Sequence, residues 1–339
     1  MNTPDRSSVS HSPVINHATG SDSASAKTPV TRRQLSMVTA VLFEMCIRDR
    51  NLVGLIFVDA VTPVQPDQLS PELRADLYEI PSYDPAVLER WVHAKHREQV
   101  ESYRSPDQRP EVPKNAFIEA TVQLAPLILI DGSWLQGIVS PALIQTTVGR
   151  MLFHVLVEEL GEGKAAEHHA NIYRDLLTAM EVDAPPVDTW EFARWSRLKD
   201  SSFDVPTLWL SISCFPRHFL PEILGLNLAV ELAGVGGPYR EARDTLQRFG
   251  YPTLFVDVHN AADNVSVGHA AWALNAIRRY MDETAEREGP HNLDYTWHRV
   301  WSGVRATLPQ IGRIRLASHR IRKRLFGEDP ALIPRIFPS

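Results

Sequence analysis

Apolar and polar positions along this chain follow helical patterns. After residue 62, few segments alternate between apolar and polar residues in the way that a half-buried strand does. Amphipathic or uniformly apolar stretches of helical character recur instead. The predicted helices cover residues 86–103, 116–130, 144–160, 164–180, 226–232, 241–249, 270–281 and 294–326. The sequence therefore predicts an all-α protein.

The first of these helices has a clear start signal. Asp84 is placed to cap the helix and Pro85 to occupy its first turn. His93 and His96 are three positions apart in this helix and have side chains of the metal-ligand type. The helix is polar around them, so we expect both side chains to be solvated.

The chain divides into four predicted segments. Residues 1–36 are rich in Ser, Thr, Asn and Pro, which predicts disorder, and residues 42–50 resemble a translated sequencing-adapter peptide. No internal repeat with a period of 20–50 residues is present. The segments are a disordered or artefactual stretch (1–50), an N-terminal helical arm and linker (51–114), a central helical domain (115–290) and a basic helical extension (291–339).

The composition is that of an ordinary globular protein, with 44% hydrophobic and 22% charged residues. The net charge of −6 argues against a general nucleic-acid binder. The two cysteines, Cys46 and Cys214, provide no disulfide framework, which fits a reducing compartment. The longest apolar stretches, 124–130 and 205–212, are shorter than the ~18–20 residues of a membrane span, and we see no secretory signal. We expect a cytoplasmic protein without a membrane span.

Residues 255–269 combine metal-ligand side chains with apolar surroundings. His259, Asp263 and His269 lie in this stretch, and imidazole with carboxylate suits iron, zinc or manganese. His259 and Asp263 are four positions apart and share a helix face. His269 lies about 240° further round a regular helix than Asp263, so it joins them only if the helix is interrupted. Gly268 and the weak helix formers just before it favour such an interruption.

Candidate partners for this stretch lie upstream. Asp131 follows an apolar segment and is either a cap or a metal ligand, and Glu119 is the competing carboxylate. On a helical wheel, Glu158 lies about 20° and Glu159 about 80° from His169, but the intervening glycines can break the wheel. Spacing therefore leaves both glutamates open. The other ligand-type residues of this segment are His154, Glu162 and His168.

Several known metal and phosphate motifs are absent from the sequence. Among the thirteen histidines, only His291 follows a glutamate, Glu288, by three positions, and a Gly-Pro pair between them prevents a helix. A ferritin-like site is therefore not expected. The His-Glu-x-x-His and Cys-x-x-Cys motifs are also absent. The glycine-rich residues 234–238 are typical of a helix end and turn rather than a phosphate loop.

Four stretches, in this order, resemble the iron-containing redox enzymes, which are also called haem-oxygenase-like di-iron oxidases. They are Val157 to Gly163 (VEELGEG), His169 to Tyr173 (HANIY), Phe219 to Gly225 (FLPEILG) and Val258 to His269. The resemblance runs from about residue 124 to residue 281. It implies a haem-oxygenase-like helical bundle over residues 115–290.

The resemblance also implies a set of metal ligands. Its Glu-Leu-Gly motif and its histidine before an aromatic residue carry over to Glu159 and His169. The later ligands carry over to His259, Asp263 and His269. The first carboxylate falls on Asp131, where better-characterised members have glutamate, and five residues rather than two separate Asp263 from His269.

Through this resemblance we expect a non-haem iron oxidase or oxygenase that activates dioxygen. Its cofactor would be two Fe(II) ions, with a mono-iron site as the alternative. Its substrate would be a small organic molecule, amino-acid-like or fatty-acid-like, and an external reductant and a homodimer stay open as partners. Arg217 and His218 are candidates for pairing with a substrate carboxylate, although a surface pair is the favoured interpretation.

Two other functions remain as alternatives. One is a metal-independent enzyme of the same fold, thiaminase-like or cofactor-oxidising, which would use an acid–base pair or Cys214, the only cysteine within the domain. The other is a non-catalytic helical module that binds a partner through the basic C-terminal residues.

Overall fold

The computed structural model describes residues 79–234, 236–262, 265 and 268–306. Within these ranges the chain forms α-helices and short 3₁₀-helices and no strand, so the all-α prediction is confirmed. The predicted segment 1–50, residues 51–78 of the arm, residues 307–339 and Asp263 lie outside the described residues. The α-helices are α1 (Pro85–Glu101), α2 (Lys114–Ile128), α3 (Pro141–Ile144), α4 (Thr147–Glu159), α5 (His169–Ala179), α6 (Trp190–Ala193), α7 (Asp204–Ser213), α8 (Leu220–Ala233), α9 (Gly237–Phe249), α10 (Leu254–Ala262), α11 (His269–Glu288) and α12 (Leu293–Ala306).

Helix α1 begins where the sequence predicts. The Asp84 carboxylate accepts hydrogen bonds from the backbone N–H groups of Ala86 (2.8 Å) and Val87 (2.9 Å). Pro85 occupies the first helical position, where the missing N–H leaves no hydrogen bond unmade. The helix then buries Leu88 and Val92 against the core.

Two sharp turns end the helices that precede the predicted ligands. Gly132 follows α2 with a φ of 79°, and Gly161, Glu162 and Gly163 follow α4 with φ values of 68°, 51° and 84°. This left-handed backbone cannot continue a right-handed helix. The predicted helix 164–180 is therefore wrong over 164–168, which form turns, and α5 begins at His169.

The predicted interruption before His269 is also present. Helix α10 ends at Ala262, and α11 begins at His269 with Gly268 as its extended N-terminal cap. His269 is thus the first residue of a new helix, and its direction is independent of the helical phase of His259.

Helices α8 and α12 pack with their backbones in close contact. A Cβ atom on Gly225 would lie 1.8 Å from the carbonyl oxygen of Val300, and one on Gly303 would lie 1.9 Å from that of Glu222. The two backbones can touch only because both positions are glycine. Trp297 in α12 is fully buried. The domain boundaries predicted from the sequence, including the one at residue 290 before α12, stay predictions.

The apolar side chains form two clusters. One is built mainly from α4, α7, α8, α11 and α12, and the other from α2, α5, α9 and α10. The predicted ligands come from helices of both clusters: Glu159 and His269 from the first, His169 and His259 from the second. The candidate site therefore lies where the two clusters meet.

One helical stretch, Lys114–Val139, is long and apolar enough to cross a membrane by length and composition. Half of its apolar window is buried within the protein, and core helices commonly pass the same test. A second candidate would require α8 and α9, which meet at an angle of 46°, to act as one span. These features are weak indications of a membrane span.

Candidate metal centre

Six ligand-type side chains from six parts of the chain converge in the interior. They form two groups of three, and the candidate ligand atoms within each group lie within 4.8 Å of one another. All six side chains are nearly inaccessible to solvent. The first group is Asp131, His169 and His259, and the second is Glu159, Glu231 and His269.

The first group is centred on the Asp131 carboxylate. Its Oδ2 lies 3.4 Å from His169 Nδ1 and 3.6 Å from His259 Nε2. The Nδ1 of His259 lies 2.7 Å from the carbonyl oxygen of Phe255, one helical turn earlier. A carbonyl only accepts hydrogen bonds, so His259 donates from Nδ1, and its Nε2 is the nitrogen that faces Asp131.

The second group is centred on His269. Its Nδ1 lies 3.2 Å from Glu231 Oε2 and 3.5 Å from Glu159 Oε1. Glu231 belongs to α8, so this group joins the last residue of α4, a core helix and the first residue of α11.

Glu159 connects the two groups. Its Oε2 lies 2.7 Å from His169 Nδ1 in the first group, while its Oε1 faces His269 in the second. A carboxylate whose two oxygens face two ligand groups is suited to bridging two metal ions. Glycine at residue 132 leaves room for the Glu159 side chain, because a Cβ there would lie 3.0 Å from the Cβ of Glu159.

The buried groups of the centre shift one another's pKa values. Burial alone would raise the pKa of Asp131, but the neighbouring His169 and His259 outweigh it and hold the pKa at about 2. Burial would lower the pKa of His169, but the carboxylates of Asp131 and Glu159 raise it to about 10. Burial and the negative charge of Asp131 raise the pKa of Glu159. Without a metal, a proton on His169 therefore balances part of the buried negative charge.

The donor set fits a pair of divalent metal ions. Glu159 Oε2 and His169 Nδ1 are buried and close together, yet neither makes a hydrogen bond of good geometry to a described residue. Buried polar atoms normally make hydrogen bonds, and a metal ion is an alternative partner for them. Three imidazoles and three carboxylates suit iron, and their negative charge would offset most of the charge of two ferrous ions.

The structure brings together five of the six ligands predicted from the sequence. They are Asp131, Glu159, His169, His259 and His269. The sixth, Asp263, lies outside the described residues.

The competing candidates lie elsewhere or play another part. Glu119 is exposed and forms a 2.5 Å ion pair with Arg197. Glu158 does contact His269, but from the side opposite Glu159 and with a partly exposed side chain. His168 directly precedes α5, without a side-chain cap hydrogen bond, and belongs to neither ligand group.

Glu231 is a site residue that the sequence reasoning missed. It is one of two acidic residues in α8, a helix that is apolar on nearly every side. The other, Glu222, pairs with Arg299 at 2.6 Å and 2.8 Å. A carboxylate in such a helix is buried and therefore requires a partner of opposite charge. An acidic residue within an otherwise apolar helix is thus the sequence feature from which Glu231 could have been predicted.

Two further candidates lie at the surface. Arg217 and His218 are exposed just before α8. Glu231 is eleven residues beyond Leu220, the first residue of that helix, or roughly 16 Å along its axis. Cys214 is exposed at the end of α7. Neither the Arg217–His218 pair nor Cys214 belongs to the ligand groups.

Comparison with known proteins identifies the family of this chain. No curated protein matches the chain. A model of the iron-containing redox enzyme family matches residues 119–304, which is more than half of the chain and includes every residue of both ligand groups. The chain therefore belongs to the iron-containing redox enzyme family.

Proposed function

We propose that this protein is a non-haem di-iron oxidase or oxygenase that activates dioxygen to oxidise a small organic substrate. The family supports an oxidoreductase. The observation that carries the di-iron proposal is the pairing of two buried ligand groups through the two oxygens of Glu159.

Each group provides the ligands for one ion. Asp131 Oδ2, His169 Nδ1 and His259 Nε2 would hold the first, and Glu231, His269 Nδ1 and Glu159 the second. With Glu159 shared between the two ions, the first ion would have four protein ligands and the second three, which would leave coordination positions open for dioxygen and substrate. Two ferrous ions bound there would supply electrons for the reduction of dioxygen.

The protein itself orients the ligands and excludes water. Phe255 lies against His259 with ring centroids 4.5 Å apart, and Tyr239 lies on the same imidazole at 5.3 Å. The Phe255 carbonyl fixes the His259 tautomer. An apolar wall of this kind limits water access and strengthens the electrostatic interactions of the ligands.

The substrate class rests on the family resemblance. We propose an amino-acid-like or fatty-acid-like molecule, because family members oxidise small organic substrates. We also propose that the protein uses an external reductant, forms a homodimer and is located in the cytoplasm. Nucleic acid is not an expected partner.

The decisive experiment is anaerobic loading with ferrous iron, followed by metal analysis and measurement of oxygen uptake. We expect about two iron ions per chain and oxygen-dependent oxidation of the ferrous iron. His259→Ala and Glu159→Ala should each abolish that oxidation. Glu119→Ala, which removes a surface carboxylate, is the matched control and should behave as the wild type.

The alternatives give different results in the same experiment. One iron per chain would support the mono-iron site. No bound iron would refute the proposal and favour a metal-independent enzyme of this fold or a non-catalytic module. Unchanged oxygen uptake in both variants would refute the assignment of the ligands.

A further inference from the structure

His269 contacts two consecutive glutamates with its two ring nitrogens. Its Nε2 lies 2.8 Å from Glu158 Oε2, while its Nδ1 lies 3.5 Å from Glu159 Oε1 and 3.2 Å from Glu231 Oε2. Glu158 is about 30% exposed, whereas Glu159 is buried. The ring therefore lies between a solvent-facing carboxylate and the metal-binding carboxylates.

The short Nε2 contact favours Nδ1 as the nitrogen that binds a metal. A carboxylate accepts hydrogen bonds, and a neutral imidazole carries one N–H group. In the metal-free protein each ring nitrogen of His269 is within hydrogen-bond distance of a carboxylate, Nδ1 of Glu231 and Nε2 of Glu158. A metal ion bound at Nδ1 would leave the single N–H of the neutral ring on Nε2, where Glu158 accepts it. The opposite tautomer would direct an N–H group towards the metal position.

The two histidines nearest this region are oriented by different means. His259 is held by a backbone carbonyl in its own helix, which a side-chain substitution does not remove. His269 is held by side chains from other helices, Glu158 of α4 at Nε2 and Glu231 of α8 at Nδ1. If a metal ion takes Nδ1, Glu158 is the side chain that holds the other nitrogen.

Glu158 also has a neighbouring side chain on its outer side. Its Oε1 lies 3.7 Å from His154 Nε2, one helical turn earlier. The His154 ring stacks on Trp272 with a centroid distance of 4.3 Å, and Trp272 contacts His269 at 5.3 Å. These contacts link α4 to α11 around the Glu158–His269 hydrogen bond.

We propose that Glu158 is a positioning residue for the second metal position: it accepts the Nε2–H of His269 and so presents Nδ1 to the metal. This role rests on the proposed di-iron function. Outer carboxylates that hold a ligating histidine in this way commonly change metal affinity by about 10- to 100-fold.

The test is a titration of the metal-free full chain with Co(II) under anaerobic conditions, followed by visible absorption. The wild type should bind two ions in two steps. Glu158→Ala should weaken the second step by about 10- to 100-fold and alter its Co(II) absorption, with the first step unchanged. Glu158→Gln keeps an acceptor oxygen and should restore the second step to within a few-fold of the wild type.

Glu286→Ala is the matched control, since it removes an exposed carboxylate near the far end of α11 and should leave both steps unchanged. Thermal unfolding of the metal-free variants checks that both fold. Co(II) binding and absorption that are unchanged in Glu158→Ala would overturn the positioning role alone. Equal losses in the Ala and Gln variants would mean that the carboxylate is itself a ligand, which also overturns it. Fewer than two ions in the wild type would overturn the di-iron function and the positioning role together.

Discussion

Glu159 Oε2 lies 2.7 Å from His169 Nδ1, although the two residues are the last of α4 and the first of α5. A left-handed turn at residues 161–163 brings these two helix ends together. Neither position is favoured by the helix dipole, because an anion is better placed at a helix N-terminus and a cation at a C-terminus. Helix stability therefore does not explain the placement, which is the one expected of a pair that binds a metal ion under the proposed function.

Glu231→Gln should remove the second metal ion and leave the first. The amide that replaces the carboxylate loses the negative charge that attracts the ion and has a weaker donor oxygen. Metal analysis after ferrous loading should give about one ion per chain.

Glu222→Gln is the matched control on the same helix. Glu222 pairs with Arg299 and lies in neither ligand group, so this change should lower the free energy of unfolding by about 1–2 kcal/mol. The metal content should stay at two. Loss of metal in Glu222→Gln but not in Glu231→Gln would contradict the assignment of Glu231 to the second ligand group.

Glu159→Ala should weaken the binding of both ions, because each of its oxygens faces a different ligand group. Asp131→Ala should weaken only the first ion, since the Asp131 carboxylate contacts His169 and His259. Stepwise titration with Co(II) separates the two effects. The bridging role of Glu159 is wrong if its removal affects a single step.

Gly132→Ala should reduce both stability and metal binding. A side chain in the left-handed backbone at Gly132 costs about 1–2 kcal/mol, and its Cβ would also press on Glu159. Gly250 has a similar φ of 75° but no atom near its Cβ position. Gly250→Ala should therefore lose comparable stability, measured by chemical unfolding, without losing metal affinity. Equal metal affinities in the two variants would argue against contact with Glu159.

Metal binding should release a proton from His169 at neutral pH. Asp131 and Glu159 overcome the effect of burial and raise the His169 pKa to about 10, so the metal-free imidazole is protonated. A metal ion needs the Nδ1 lone pair, so affinity should rise with pH, by up to about tenfold per unit, and level off near pH 10. Calorimetry in two buffers of different ionisation enthalpy measures the released proton. Identical apparent enthalpies in the two buffers would contradict it.

The same pKa shift predicts how His169 affects the stability of the metal-free protein. Because the folded-state pKa is raised, the stabilisation is fully present below the ordinary histidine pKa and disappears as the pH rises through about 10. His169→Gln should remove this part of the pH dependence. Unfolding curves at several pH values measure it.

Local patterns in the sequence were sufficient to predict most of the longer helices, whereas the predicted ligand set came from the family resemblance. The Asp84–Pro85 cap, the apolar segment before Asp131 and the break before His269 depend on neighbouring residues, so they could be predicted. The start of α5 could not be predicted accurately, because the glycines after α4 allow several turn geometries.

Helical periodicity could not decide whether Glu158 or Glu159 is the ligand. Both contact His269, from opposite sides of its ring, and only the packing of α4 against α11 makes one buried and leaves the other partly exposed. Glu231 was missed for a related reason. No local motif marks it, and its partners come from α4 and α11.

By itself, the sequence determined an all-α chain with histidines and carboxylates of the iron-binding type, because helical periodicity and ligand chemistry are properties of short segments. The tertiary structure alone decided which carboxylates meet which imidazoles. That outcome depends on helix-packing geometry between residues far apart in the chain, such as Glu159, Glu231 and His269. Close packing at Gly132 and at the Gly225–Gly303 crossing fixes those positions.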